Sequence, residues 1–129
     1  MKESIRFIHT TDWQIGKPYR QIADDQKRFK MQQERLNAIG RIRDAARTQT
    51  AAFVVVAGDL FDSPTPPTTA VFEVLEAIGE MEIPVLVIPV NHDHGALGTV
   101  WHREDFQMHQ RQMAPNLRQY LSIPYRKKS

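Results

Sequence analysis

The chain contains no cysteine, which rules out disulfides and thiolate metal sites, so any metal must be held by carboxylate, amide and imidazole groups. Long apolar stretches are missing too. The longest uninterrupted apolar run, AAFVVVA at residues 51–57, is far too short to cross a bilayer, and residues 1–10 lack the apolar core of a signal peptide. A cytoplasmic protein with no membrane partner is expected. Internal repeats, low-complexity blocks and domain linkers are absent as well. A chain of 129 residues allows at most one domain, long enough to bury roughly two thirds of the surface its unfolded form exposes. The expected organisation is one domain over residues 1–125 with a basic, disordered tail at 126–129.

A further absence concerns charge of one sign. Residues 51–100 contain no Lys or Arg against seven acids, whereas residues 1–50 carry eleven Lys and Arg against six acids and residues 101–129 six against two. The net charge of +2 hides this asymmetry. A cation-free centre leaves its carboxylates without internal competitors, and basic flanks suit a phosphate backbone; scatter on solvated helices would give the same distribution.

What is present is an alternation of short apolar runs with helical stretches. Ile5, Phe7 and Ile8 mark a first strand that enters a loop at Thr10, Thr11 and Asp12. From about Asp24 to Arg47, the residues Phe29, Leu36, Ile39, Ile42 and Ala46 recur at helical spacing, with Asp24 or Asp25 suited to cap the start. The run AFVVVA at 52–57 is apolar without alternation, as expected of a central strand covered on both faces. Pro64, Pro66 and Pro67 then require an extended loop before a helix beginning at Thr68 or Thr69, with Val71, Phe72, Leu75 and Ile78 as its buried stripe and Glu73, Glu76 and Glu80 on its wet side. Pro84 forces an exit into a third strand at residues 85–88. Beyond Gly98 the pattern weakens: Trp101, Phe106, Met108 and Met113 are irregularly spaced, consistent with one more helix. The reading is α/β, β-α-β-α-β, with a largely parallel sheet.

Three segments punctuate this pattern: HTTDWQIG at 9–16, GDLFD at 58–62 and VNHDHG at 90–95, each directly after an apolar run. In a parallel sheet the carboxyl ends of the strands share one edge, where ligands collect. Neighbouring strands lie about 4.8 Å apart, so Asp12, Asp59 and Asn91 can reach a common pair of ions, which in two-metal sites sit about 3.5–4 Å apart. Each residue alone says little, since an Asp after a strand is more often a cap or turn residue. It is their repetition at three strand ends that points to a metal site.

These motifs resemble those of the calcineurin-like metallophosphoesterase superfamily, which read D-x-H, G-D-x-x-D and G-N-H-D or G-N-H-E. Within it, FIHTTDWQIG, VVAGDLFDSPTPP and NHDHG are most similar to the SbcD-type DNA repair exonucleases. The resemblance covers about residues 5–106 and implies the N-terminal half of a four-layer α/β/β/α sandwich. It implies that Asp12 and Gln14 hold a first metal, that Asp59 bridges two, that Asn91 holds the second and that His92 is the catalytic histidine. Asp62 and Asp93 would orient backbone or His92. Two manganese ions, or other divalent metals, would activate a bridging hydroxide for in-line attack on a DNA phosphodiester.

The chain departs from the family pattern in three places. Gln14 stands where the first motif usually has histidine, an exchange that weakens the first metal, and Val90 replaces the glycine of the third motif. The later histidine and G-H-x-H motif of the family's second half have no counterpart, and His9, His94, His102 and His109 stand in no such motif. Half of a four-layer domain would leave a sheet face uncovered, so self-association or pairing with a second polypeptide is expected. By resemblance an ABC-type ATPase is a further candidate partner. Two other readings stand beside the nuclease: a phosphoesterase acting on a small substrate, and a catalytically inactive assembly module.

Overall fold

Helices intervene between successive strands, so no strand can turn back on its predecessor through a tight hairpin, and parallel pairing follows. The computed structural model describes residues 4–63, 65–88 and 103–119. Its elements in chain order are β1 (Phe7–Thr10), α1 (Asp25–Thr48), β2 (Phe53–Ala57), α2 (Thr68–Met81), β3 (Val85–Ile88), α3 (Glu104–Met113) and β4 (Leu117–Gln119). The four strands form one sheet in the order β1-β2-β3-β4, every neighbouring pair parallel. The expected α/β class holds. Sequential order with right-handed crossovers places all three helices on one face of the sheet, and α2 packs against both α1 and α3.

Side chains alternate across each strand, and the register turns that alternation into rows. Ile8, Val54, Val85 and Leu117 align across the sheet on the helical face. Val54, Val56, Val85 and Val87 are buried there with Leu75 and Ile78 of α2 and Phe106 of α3. Each such burial contributes roughly 1.5–3 kcal/mol. The opposite face carries Phe7, Phe53, Val55, Leu86 and Ile88. There Phe7 stacks on Phe53 at 5.0 Å between ring centroids, yet Phe7 stays 55% exposed and Ile88 41%.

Several expectations need correction. β2 is not covered on both faces: Val54 and Val56 are buried while Phe53, Val55 and Ala57 are half-buried, because the helices supply only one layer. Phe29 does not join the buried stripe of α1 and is 62% exposed. The cause is length. A helix of 24 residues spans roughly 36 Å, whereas strands this short span roughly 13–17 Å. Ile39 and Ala46 in the second half of α1 are buried, so its first turns overhang the carboxyl edge of the sheet. Phe72 is only half-buried, with its ring edge-on to His109 at 4.7 Å, and α2 buries Ala70, Val74 and Met81 instead. β4 has no forerunner in the sequence pattern. Trp101 and the tail at 126–129 lie outside the described residues.

Local caps fix the helix ends that frame the sheet. Asp24 accepts from the N–H groups of Gln26 at 2.9 Å and Lys27 at 3.4 Å, a cap worth about 1 kcal/mol. At α3, the Arg103 guanidinium donates to Asp105 and to the Pro66 carbonyl, tying the proline-rich loop after β2 to α3. Burial pushes the Asp105 carboxyl up, but hydrogen bonds from Arg103, Thr68 and the Phe106 N–H outweigh it and hold the group below its ordinary value. Asn116 donates to the carbonyls of Ile78 at 2.7 Å and Ile83 at 2.8 Å, joining the end of α2 to the start of β4.

The α2–α3 contact is close enough to need a glycine. A Cβ on Gly79 would stand 2.0 Å from the Met113 carbonyl oxygen. Gly79→Ala should therefore destabilise the fold by about 1–3 kcal/mol despite the better helix propensity of alanine. Urea denaturation checks this, and an unchanged midpoint would contradict the packing.

Candidate metal centre

β1 and β2 run side by side and end together, since Thr10 aligns with Val56. Their following loops leave from the same edge. The Thr11 hydroxyl donates to the Ala57 carbonyl at 2.7 Å, the first bond across the two loops. Both loops then turn through left-handed backbone: Asp12 has φ 57° and Gln14 φ 46° in one, Gly58 has φ 79° and Asp59 φ 51° in the other. Glycine takes this conformation freely and aspartate tolerates it through local hydrogen bonding, but for glutamine it costs on the order of 1–2 kcal/mol.

Backbone bonds between the loops offset that strain. The Gln14 N–H donates to the Asp59 carbonyl at 2.9 Å, the Ile15 N–H to Leu60 at 3.1 Å, and the Asp62 N–H back to Ile15 at 3.1 Å, with a parallel bridge between Ile15 and Phe61. Below this seam Trp13, Ile15, Leu60 and Phe61 are buried, and the Trp13 indole N–H reaches the Thr10 hydroxyl at 3.2 Å. Above it Asp12 and Asp62 are exposed and Gln14 and Asp59 half-buried. The two loops form one rim, with hydrophobic anchors underneath and the backbone that carries Asp12, Gln14, Asp59 and Asp62 above them.

Asp12, Gln14, Asp59 and Asp62 thus come together as two stitched segments. Among the described residues there is no group of three or more His, Cys, Asp or Glu side chains placed to hold a metal ion. The rim supplies the carboxylates of Asp12 and Asp59 with the Gln14 amide, a donor set of hard oxygens that fits a hard divalent cation. β3 ends at the same edge, where Ile88 aligns with Ala57. Val90, Asn91, His92, Asp93, His94 and His102 lie outside the described residues. His9 sits exposed on the open sheet face and His109 against Phe72, neither at the rim.

A family model for the calcineurin-like phosphoesterases matches residues 5–128. The chain belongs to that family. Its domain is of the kind that hydrolyses phosphoesters with divalent metal ions. Among the described residues no helix is long and apolar enough to cross a membrane.

Two side chains that hold the rim in shape were not among the expected site residues. Thr11 bonds across the loops. Arg35, mid-way along α1, donates to the carbonyls of Asp12 at 3.2 Å and Trp13 at 3.1 Å. No sequence signal separates Arg35 from the other arginines of α1, whereas a threonine pair before the first motif offers a hint.

The Gln14 backbone offers a direct test of the donor set. Histidine is enriched in left-handed backbone and brings a better metal donor than an amide oxygen. Gln14→His should tighten manganese binding by roughly tenfold, about 1.4 kcal/mol, in calorimetric titration. Unchanged affinity would place the metal away from this rim.

Proposed function

We propose that this phosphoesterase is a manganese-dependent DNA phosphodiesterase of the SbcD-like exonuclease kind. The observation that supports it most is the backbone seam between Gln14–Ile15 and Asp59–Leu60, which brings the loops that carry Asp12 and Asp59 side by side. In this reading Asp12 and Gln14 would hold the first ion, Asn91 would hold the second with a neutral oxygen, and Asp59 would serve both. A shared carboxylate offsets the repulsion between dications, and an amide adds a ligand without adding charge. Bound divalent ions supply Lewis acidity and a nucleophilic water at neutral pH.

The chain's own residues do the rest. His92, from the third motif, protonates the leaving alkoxide oxygen or stabilises charge on the phosphate. Asp62 ties the second loop to the first through its N–H, and Asp93 orients His92. Lys17 and Arg20, on the loop that leaves the rim, line an open hollow of about 410 Å³ with Pro18, Tyr19, Gln21 and Asp62. Cations at that place suit the phosphates flanking a scissile bond in a polymer better than a single small phosphoester.

The wild-type chain should release nucleotides from linear DNA in the presence of manganese, and Asp59→Ala should abolish the release. Turnover of a model phosphodiester without any action on DNA would favour a small substrate instead. Failure to bind manganese at micromolar levels in a folded chain would favour an assembly module.

The open face of the sheet bears on partners. Phe7, Phe53, Val55, Leu86 and Ile88 share that face, with His9 and Arg118 at either end of the Val55–Leu86 row, and an exposed apolar patch of this kind marks an interaction site. In this proposal a second copy or a second polypeptide covers it, while association with an ABC-type ATPase rests on resemblance alone. Light scattering at high concentration should report association; a monodisperse monomer would count against it.

A further inference from the structure

The overhang of α1 beyond the sheet brings one helix face against the loop that carries Asp12. Two side chains on that face, a single turn apart, take hold of it. Gln32 donates to the Lys17 carbonyl at 3.4 Å, and Arg35 makes a fuller grip. One guanidinium nitrogen of Arg35 donates to the carbonyls of both Asp12 and Trp13, while its Nε donates to the Tyr19 hydroxyl at 2.8 Å. The guanidinium also lies 5.9 Å from the centre of the Tyr19 ring, and the Lys17 ammonium lies 5.5 Å from it. Four residues of this loop, Asp12, Gln14, Gly16 and Tyr19, have positive φ.

We infer that Arg35 is a positioning residue of the metal centre, setting the direction of the Asp12 carboxylate through the two carbonyls that follow from its left-handed turn. The inference rests on the reading that Asp12 and Asp59 hold metal. The reason is geometric. In left-handed backbone the peptide planes after Asp12 are turned out of the strand pattern, and their carbonyls need donors from elsewhere. A planar guanidinium can serve two adjacent carbonyls from one nitrogen and a hydroxyl from another, a wider and more rigid spread of donors than the single nitrogen of an ammonium offers. Tyr19, fixed by the stacked cation, holds the guanidinium in turn. The helix thereby carries the rim's first loop as a rigid unit, while the seam to Asp59 fixes its other side.

The sign of one measurement separates this role from its rivals. If Arg35 acted only as a nearby positive charge, its removal would relieve repulsion and tighten manganese binding. If it only stabilised the fold, the melting temperature would fall with metal affinity unchanged. As a positioning residue, its loss weakens binding. Arg35→Gln should raise the calorimetric Kd for manganese by about tenfold or more, in the range seen when groups behind a ligand are removed. Arg35→Lys, which keeps the charge and a donor for the carbonyls, should recover part of that loss. Tyr19→Phe leaves Arg35 in place and removes only the hydroxyl, so it serves even where Arg35→Gln fails to fold; a rise of about threefold is expected. The accompanying kinetic signature is a higher manganese requirement with kcat restored at saturating metal.

Unchanged or tighter binding in Arg35→Gln, or in Tyr19→Phe if the former does not fold, would overturn the inference. Wild-type chain that binds manganese and loses it in Asp59→Ala keeps the metal reading intact under that outcome. Wild-type chain that binds no manganese would overturn both.

Discussion

The hydrogen bond from the Gln14 N–H to the Asp59 carbonyl is the contact on which the site depends. Without it the loops after β1 and β2 would be two strained turns sharing only an edge. With it, and with the Ile15 to Leu60 bond beside it, they become a short continuation of the sheet in which left-handed residues are tolerated because neighbouring backbone groups are satisfied. Buried Trp13, Ile15, Leu60 and Phe61 make the arrangement rigid from below. The loops that carry Asp12, Gln14 and Asp59 are thereby held in fixed register, and a fixed backbone lowers the reorganisation that gripping a cation would cost.

The asymmetry of the fold has two functional consequences. Helices on one face give β2 a dry side and a half-exposed side, and on the latter Phe7 and Ile88 stay exposed. The mismatch between a long α1 and short strands places the first half of that helix beyond the sheet, beside the rim. There the basic residues of the N-terminal region meet the acids of the strand ends, so the charge segregation along the chain becomes a spatial gradient from cationic loop to anionic rim.

Much of this was legible in the residues. The alternation of apolar runs with helical periodicity located β2, α2 and β3 closely, because consecutive valines suit a buried strand and little else, while Val71, Leu75 and Ile78 keep the spacing of a single helix face. The Asp24 cap was legible because its chemistry is local. What escaped depended on tertiary context. Phe29 has the right spacing for a buried face, yet no local pattern reveals that the sheet ends before the helix does. β4 is three residues long and gains its strand character only by pairing with β3. At the site, the acids were found from their positions after strands, while Thr11 and Arg35 were not, since their partners are backbone carbonyls that leave no trace in side-chain pattern.

In the proposed site Asp12 and Asp59, 47 positions apart in sequence, share divalent metal at one rim. Anomalous diffraction from manganese-soaked crystals tests it most directly. A shared site requires a peak about 2–2.5 Å from carboxylate oxygens of both residues. No peak at the rim, or ordered carboxylates of Asp12 and Asp59 turned to separate surfaces, would contradict it.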